Sequence, residues 1–311
     1  MLKKLYHESI ALFPENRFIY FVQRWIFVLY CLPVFPRVSL WLQAVDNPIL
    51  FRELAQRPKI REFIYRPYLN RYWTLEERLS AIENHYRLIA KNIPFLDLAS
   101  VECMELAYFK ESDGVLRVII DRPEWMRREG ELGLSFFWGI DRIYTVMFIF
   151  AGDAANMKIL VGNIQGDCRD RANVYKKLTK NFHGMRPRDF LIQVLKIVGG
   201  ILNRNEILGV SDKAHRNSHW FSRAKKIAIY DSMWQEQNGF RNKSGFFSMG
   251  TGIEKRNERD IPARKRALYR RRYQFLEAMQ IQLTEVIRSD PTPPKMHIDE
   301  MHTGFLTGKY D

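Results

Sequence analysis

The amino-acid sequence predicts an α+β protein in which a helical N-terminal third packs on a mostly antiparallel sheet. Up to about residue 95, apolar residues recur at intervals of three and four, as they do along one side of a helix. From about residue 100, short β-branched and aromatic runs alternate with Gly, Asp and Asn, which is typical of strands joined by tight turns. Because no helical pattern separates these runs, neighbouring strands are expected to pair antiparallel.

One helix of the N-terminal third is marked at both ends. Thr74 precedes Glu77 by three positions, which is the spacing of a capping box, and Pro94 ends the segment. The apolar residues between these ends define one stripe: Leu75, Leu79, Ile82, Tyr86 and Ile89. We therefore predict a helix that begins after Thr74 and stops before Pro94.

Five strands are predicted in succession after residue 100. They are ECMELAYFK, GVLRVIID, GELGLSFFWG, DRIYTVMFIFAGD and NMKILVGNIQG. The SDG sequence at 112–114 and the WGID sequence at 138–141 are typical of hairpin turns. The five strands are therefore expected to form a meander.

The remainder of the chain mixes helical and strand patterns. Two helical segments, DRANVYKKLTKNF and PRDFLIQVLKIVGGIL, precede the predicted strands EILGVS and AKKIAIYD and the segment GFFSMGTG, a predicted edge or loop. Asp260 is the predicted cap of a C-terminal helix that Pro262 opens. The predicted organisation is a helical region 1–95, an α+β core 96–254, a basic amphipathic helix 255–290 and a loose tail 291–311.

The composition is that of a basic globular protein. Hydrophobic residues make up 46% of the 311 positions and charged residues 27%, which excludes a disordered chain. The net charge is +14. Residues 255–272 hold nine basic and two acidic side chains, and their surplus of seven positive charges is half of the net charge. The residues predicted to contact an anionic surface are Arg264, Lys265, Arg266, Arg270, Arg271 and Arg272. Anionic lipid, nucleic acid and a merely solvated helix face are the three alternatives, and no nucleic-acid-binding motif is present.

The cysteines and the N-terminus bear on location. Cys31, Cys103 and Cys168 are far apart and odd in number, which argues against a disulfide framework and favours a reducing cytoplasm. No signal peptide is expected. The uncharged stretch from Trp25 to Pro36 has 12 residues, against ~20 needed to cross a bilayer. We predict a buried helix there, with a peripheral contact to the inner membrane as the alternative.

The turn His183-Gly184-Met185-Arg186-Pro187 is the main candidate for a ligand site. A helix that starts at Pro187 leaves its first amide groups unpaired and favours an anion. Arg186 and Arg188 supply guanidinium groups, and Gly184 lets a ligand approach the backbone. We expect these groups to face a hollow shared with the strand end that carries Ser211. The alternative is an ordinary helix start at which Asp189 pairs with the amides and both arginines are solvated or paired.

The candidate acid–base residues are His183, His215 and Glu131. Gln165 and Tyr230 are candidates for hydrogen bonds to a ligand, and all five side chains also have ordinary structural roles open to them.

Two pairs of residues in this set have suggestive spacings. His215 and His219 are four positions apart, as zinc ligands are, but the sequence HRNSH lacks a glutamate and no third ligand follows, so no metal site is predicted. Glu129 and Glu131 are expected on one face of a strand, at a solvent-facing edge, with a functional carboxylate pair as the alternative.

An ordered series of short motifs resembles the VirK/YbjX family of Gram-negative bacterial proteins. The motifs are RPYL at 66–69, HY at 85–86, GEL at 130–132, NIQG at 163–166, HGMRP at 183–187, GVSDKAH at 209–215, YDSMW at 230–234 and the basic KRALYRRRY at 265–273. This resemblance covers most of the chain. It implies a role in virulence, envelope stress and tolerance of antimicrobial peptides, and it implies no particular reaction.

The order of elements around the turn is similar to that of GNAT-type acyltransferases, in which a turn before a helix binds the pyrophosphate of acyl-CoA. Gly184 matches the first glycine of their loop, whereas Asn181 and Arg186 depart from its pattern. This likeness implies a fold and an acyl-CoA ligand, with His215 or a glutamate as the base.

Three functions are therefore open. The first is a stress and virulence factor of the envelope that binds an anionic ligand or surface, and the second is an acyl-CoA-dependent acyltransferase. The third is non-specific nucleic-acid binding in a stress response. No cofactor is predicted, and a protein partner is expected if none of these ligands binds.

Overall fold

The computed structural model describes residues 1–99, 101–111, 114–166, 172–215, 230–289 and 295–297. Within them the architecture is α+β, as predicted. The helices are α1 Leu2–Leu12, α2 Phe18–Cys31, α3 Phe35–Gln43, α4 Pro48–Gln56, α5 Leu75–Asn92, α6 Ala172–Asn181, α7 Pro187–Ile201, α8 Tyr230–Glu236 and α9 Ala263–Ile287. The strands are β1 Glu102–Glu111, β2 Gly114–Asp121, β3 Leu132–Trp138, β4 Asp141–Ala151, β5 Lys158–Gly166, β6 Ile207–Val210, β7 Phe240–Arg241, β8 Phe246–Met249 and β9 Met296–His297.

These strands form one sheet in the order β7-β8-β6-β5-β4-β3-β2-β1-β9. Strands β1 to β5 are the predicted antiparallel meander, and WGID is its second hairpin turn, with Gly139 at φ 60°. The crossover through α6 and α7 brings β6 alongside β5 in parallel. The predicted capping box is present, because Thr74 and Glu77 exchange hydrogen bonds at the start of α5.

The helices α5, α7 and α9 lie on the same face of the sheet. Cross-strand pairing places Leu134 opposite Val146 and Phe136 opposite Tyr144 on this apolar face. Three ring contacts locate the helices on it, with centroid distances of 6.0 Å for His85–Phe150, 5.6 Å for Phe136–Phe190 and 5.7 Å for Phe109–Phe275. The core of the protein therefore lies between this face and the three helices.

The opposite face of the sheet carries polar side chains beside a small apolar cluster of Cys103, Ile119 and Phe137. One row across it runs from Ile119 through Ser135 and Thr145 to Gln165, and the next row contains Asp121 and Asn163. Arg142 hydrogen-bonds to Asp121, Ser135 and Thr145, whose residues are buried. The strand register brings Asp121 and Ser135, which precede Arg142 by 21 and 7 positions, to the side of Arg142 and Thr145 on β4.

Several predicted elements differ from the structure. Tyr230 and Asp231, the end of the predicted strand AKKIAIYD, begin α8, and residues 224–229 of that strand lie outside the described residues. GFFSMGTG contains β8, which pairs on both sides rather than forming an edge. The cap of α9 is Pro262 instead of Asp260.

The tail 291–311 is described only at 295–297, where Met296 and His297 pair with β1. At the other end of β1, the Tyr108 amide donates a 3.0 Å hydrogen bond to Gln282 of α9.

The predicted buried helix around Trp25 is buried along one side only. Phe27, Val28 and Cys31 of α2 are in the core, whereas Trp25, Ile26 and Leu29 are exposed. The sequence expectation fails because a hydrophobic stretch does not reveal how much of its circumference meets other elements.

His85 makes the stability of this core dependent on pH. Its Nδ1 accepts a 3.0 Å hydrogen bond from the Phe150 amide, and complete burial lowers the pKa of His85 to about 3. In the unfolded chain this histidine has an ordinary pKa. As the pH falls below about 6.5, His85 therefore binds a proton in the unfolded chain but not in the folded chain. The contribution of His85 to stability is complete above about pH 6.5 and is lost toward pH 3, by up to about 1.4 kcal/mol per pH unit.

We expect urea unfolding of the His85→Asn variant to show a shallower loss of stability between pH 7 and pH 5 than the wild type. The exposed His7 provides the control, since His7→Asn should leave the slope unchanged. Equal slopes for His85→Asn and wild type would contradict this assignment.

Candidate anion-binding site

A cavity of about 720 Å³ opens between the start of α7, the middle of α9 and the segments that follow α8 and β8. Its lining includes the cations Arg186, Lys196, Lys255, Arg256 and Arg272, the carboxylates Asp189, Glu236 and Glu254, and the aromatic residues Tyr269 and Tyr273. The lining residues thus carry five positive and three negative charges. An anion that displaces or bridges existing ion pairs is the ligand that this balance favours.

The predicted turn forms one wall of the cavity. His183 and Gly184 both have positive φ, 49° and 78°, so the chain reverses sharply between α6 and α7. The Gly184 amide donates to Thr179 O at 2.7 Å and closes the end of α6. A side chain at Gly184 would be strained at this φ and would crowd the Arg272 guanidinium, which explains the glycine.

Aromatic packing holds the turn in place. Phe182, just before the turn, stacks on Phe190 of α7 with ring centroids 4.1 Å apart. Phe275 of α9 stacks against Phe182 at 6.0 Å and contacts Phe190 at 5.8 Å. Phe182 and Phe190 are buried, so the two ends of the turn are anchored to the core together with α9.

Arg272 connects α9 to the turn. Its Nε and one terminal nitrogen donate to His183 O at 3.1 and 2.9 Å, and its guanidinium lies 4.4 Å from the ring centroid of Tyr269. The Arg256 guanidinium lies 5.9 Å from the centroid of the same Tyr269 ring. Two cations are therefore held in place by one aromatic ring at the mouth of the cavity.

The two arginines of the turn are engaged with carboxylates. Arg186 pairs with Asp189 at 2.7 Å and with Glu236, and Arg188 pairs with Glu236 at 3.0 Å. Asp189 raises the pKa of Arg186 through a hydrogen bond, so this guanidinium stays charged. The Arg186 side chain is still 56% exposed, which leaves it accessible from the cavity. Arg188 borders a second, 420 Å³ hollow with Tyr144 and Tyr175.

The floor of the cavity contains a buried lysine. Lys196 is 1% exposed and donates to Gln237 O and to Glu254, both at 3.1 Å. Burial alone would raise the pKa of Glu254, but hydrogen bonds from Asn238 and Lys196 lower it. Glu254 therefore remains ionised and compensates Lys196.

The expectation that the turn faces a hollow shared with Ser211 is wrong. Of the described residues that line the cavity, none belongs to β6 or to the segment 211–215, and the opposite wall is α9. Sequence reasoning missed this partner because Arg272 lies 89 positions from His183. The basic run 265–273 was the available signal, but it does not tell which cation turns inward.

His215 and Tyr230 form a separate cluster. Their rings stack with centroids 4.9 Å apart, and the Tyr230 hydroxyl donates to the Asn163 side chain of β5. The backbone of His215 forms an isolated antiparallel β-bridge with Asn70. Nearby, Asp212 accepts the amides of Tyr230 and Asp231 and so caps α8. The motifs NIQG, GVSDKAH and YDSMW meet here. Gln165 is exposed at the end of β5.

His183 lies at the turn without lining the cavity. Its ring contacts Phe275 at 5.9 Å, and desolvation, with the charges of Arg271 and Arg272, lowers the pKa of His183. A neutral imidazole at neutral pH follows from this environment.

Glu129 and Glu131 do not lie at a solvent-facing edge, so that expectation is wrong. Both are buried, and they precede β3. Glu131 pairs with Arg57 at 3.0 Å and with Arg122 at 3.4 Å, and it accepts hydrogen bonds from the hydroxyls of two buried tyrosines. These are Tyr68 of RPYL and Tyr86 of HY, so three of the family-like motifs converge on one network that joins the N-terminal region to the sheet.

The basic stretch is divided between the cavity and the solvent. Arg264, Lys265, Arg270 and Arg271 are exposed, whereas Arg266 is half-buried and donates to Ile261 O. Only Arg272 of the six predicted residues lines the cavity.

Within the described part of the chain, no cluster of three or more His, Cys, Asp or Glu side chains is suited to a metal ion. His219 and Cys168 of the sequence analysis lie outside it. Cys31 and Cys103 are buried, and within the described residues neither forms a disulfide.

Relatives are found among Gram-negative bacterial proteins. The chain is 25% identical over 274 residues to the uncharacterized protein YbjX of Escherichia coli K12, covering 82% of this chain and 81% of that protein. An uncharacterized protein of Haemophilus influenzae is 31% identical over 147 residues, and this match spans 47% of this chain and about half (49%) of the relative.

The membrane protein LapB of Mannheimia haemolytica is 19% identical over 178 residues, 56% of this chain and 75% of that protein. No solved structure matches the chain. The family model described as protein of unknown function (DUF535) matches residues 17–285. With the match to YbjX, this shows that the chain belongs to the DUF535 family of YbjX-like proteins.

Proposed function

We propose that this protein binds a phosphate-bearing anion in the cavity between α7 and α9, and that this binding serves a stress and virulence role in the bacterial envelope. The observation that carries the proposal is the arrangement at the mouth of the cavity. There, Arg186, Arg256 and Arg272 line the cavity together with the left-handed turn at Gly184, and the Tyr269 ring lies beside two of these arginines.

The charges are suited to phosphate for two reasons. Guanidinium groups form paired hydrogen bonds to phosphate oxygens, and three of them surround one opening. The carboxylates Asp189 and Glu236 hold Arg186 in the absence of a ligand, so that binding exchanges one set of ionic contacts for another. A phosphate-bearing ligand would restore the balance of a lining that is otherwise positive.

The envelope part of the proposal is supported by kinship. One relative carries the name membrane protein LapB, and the motifs resemble a family associated with virulence and envelope stress.

We expect Arg272→Ala and Arg256→Ala each to weaken binding of inorganic pyrophosphate tenfold or more, because a hydrogen bond to a charged group contributes about 1.5–3 kcal/mol. Isothermal titration calorimetry on the full chain measures this. Arg256→Ala is the more telling variant, since its guanidinium lies at the cavity mouth and Arg272 also holds the turn. Arg264→Ala, exposed at the start of α9 and outside the cavity lining, is the matched control and should bind as the wild type does.

Two further ligands separate the alternatives. Acyl-CoA binding tighter than pyrophosphate, and lost in the same variants, would support the acyltransferase reading. Binding to arbitrary DNA that falls steeply with salt would support the nucleic-acid reading. Wild-type affinity for pyrophosphate in both Arg256→Ala and Arg272→Ala would refute the cavity as the anion site.

A further inference from the structure

Helix α2 presents an apolar side to the solvent. Phe18 is 82% exposed, Leu29 62% and Ile26 53%, and Ile19, Phe21, Trp25 and Tyr30 are exposed as well. Single apolar residues are common on protein surfaces, but seven on one helix of 14 residues form a continuous surface. An exposed apolar surface of this size is typical of a site that contacts a membrane or another protein.

The packing of the opposite side fixes which way α2 faces. Phe27, Val28 and Cys31 are buried in the core. Arg24, the only charged residue of the helix, is 8% exposed and turned inward, where its Nε donates to Phe13 O at 2.9 Å. The charge of α2 is thus satisfied by backbone carbonyls inside the protein, and its outer side is left without charge.

Helix α1 extends this surface. A hollow of about 360 Å³ lies between α1 and α2, lined by Leu2, Lys3, Tyr6, His7, Ile10 and Trp25. The rings of Tyr6 and Trp25 are 5.4 Å apart, and Trp25 also contacts Phe21 at 6.4 Å. Tyrosine and tryptophan are the residues that sit at the boundary between lipid headgroups and acyl chains.

Lysines flank this surface, and Glu15, just before α2, is paired with Arg17 at 3.0 Å. Lys3 and Lys4 of α1 are exposed. The acidic residue of α1, Glu8, turns away and pairs with Arg61 at 2.8 Å. Helix α2 contains no acidic residue. An apolar surface flanked by lysines complements a bilayer of anionic lipids, whose headgroups attract cations while the acyl boundary accepts apolar side chains.

The segment Phe18–Gln43 is long and apolar enough to cross a membrane: an 18-residue window of it has a mean hydropathy of 1.7, and 22% of that window is buried. Crossing would require Arg24 to leave its carbonyl partners, and Val38 and Trp41 of α3 to leave the core. A spanning α2 and an α2 that lies in the membrane plane both keep its outer side in lipid, but only the in-plane arrangement preserves the fold.

We propose that the outer side of α2, with the hollow beside α1, inserts into the headgroup region of an anionic bilayer and lies in the membrane plane. This inference goes beyond the proposed anion binding and uses different residues, so either can fail without the other. It assigns the protein a fixed orientation on the membrane, with α2 facing the lipid.

The test is co-sedimentation of the full chain with vesicles of phosphatidylglycerol and phosphatidylethanolamine, compared with phosphatidylcholine vesicles. We expect binding to the anionic vesicles and a loss of tenfold or more in the double variant Ile26→Glu, Leu29→Glu. These side chains are exposed, so circular dichroism should show an intact fold. The control is Ile281→Glu, which places one glutamate at a 59% exposed isoleucine of α9 and should leave binding unchanged.

Three results would overturn the proposal. One is equal binding of the Ile26→Glu, Leu29→Glu variant and the wild type, and another is binding that survives carbonate extraction, which would indicate a spanning segment. The third is a dimer in solution that the same variant dissociates, because a second copy would then cover α2. Replacing Lys3 and Lys4 by Ala should weaken binding about fivefold for each lysine if the headgroups are anionic. Arg264→Ala, which removes an exposed cation of α9 outside the cavity lining, should sediment like the wild type, which separates α2 from the basic helix as the membrane contact.

Discussion

Replacing Glu131 by Ala is expected to destabilise the protein by about 3–5 kcal/mol, because removal of one partner from a buried ion pair leaves the opposite charge uncompensated. Glu131 is 1% exposed, and Arg57 and Arg122 around it are also buried. Glu53, the other buried carboxylate beside these arginines, contacts both of them, at 3.4 and 2.8 Å, but is shared with Arg52. The network is therefore balanced only while both glutamates are present.

Urea denaturation at pH 7 measures this loss as a lower midpoint at unchanged slope. Glu124 offers a matched control, since its carboxylate lies 3.5 Å from Arg57 but its side chain is 46% exposed. Glu124→Ala should cost no more than about 1 kcal/mol, because exposed ion pairs contribute little. A midpoint for Glu131→Ala that equals that of Glu124→Ala would contradict the role assigned to the network.

Replacing Phe190 by Ala is expected to cost about 3–5 kcal/mol, the usual penalty for removing a fully buried aromatic ring. Phe190 contacts Phe136 of the sheet, Phe182 before the turn and Phe275 of α9. The cavity that remains would loosen the turn and α9 together, so pyrophosphate binding should fall along with the melting temperature.

Phe240 supplies the control for this substitution, because it is 65% exposed on β7. Phe240→Ala should change the free energy of unfolding by less than about 0.5 kcal/mol. A melting temperature for Phe190→Ala within a degree or two of that control would contradict the anchoring role of the aromatic cluster.

The parts of the fold that local sequence encodes were predictable. The capping box at Thr74 and the hairpin turn at Gly139 each depend on residues within four positions, and the strand period needs only a short window. The order of β1 to β5 followed because short connections join neighbouring strands. The parallel entry of β6 and the pairing of β8 on both sides depend on contacts across long loops, which no local pattern encodes.

The candidate site was predictable only in part. The turn at Gly184 was found because glycine before an Arg-Pro pair marks a helix start, but its opposite wall comes from α9. Glu131 was misplaced for a similar reason, since Arg57 and Tyr68 are 74 and 63 positions away in the chain. Charge in a sequence indicates exposure on average, and it gives no sign of a distant partner that makes burial tolerable.

Helix α9 also determines how β1 meets other molecules. A ten-residue strand at the border of a sheet offers unpaired backbone groups on which a foreign strand can add. Here β9 pairs with Glu102 and Cys103 of β1, and the Gln282 side chain accepts a hydrogen bond from the Tyr108 amide. The helix that lines the cavity thus also occupies a backbone donor of β1, and removing it would leave that amide open to a foreign strand.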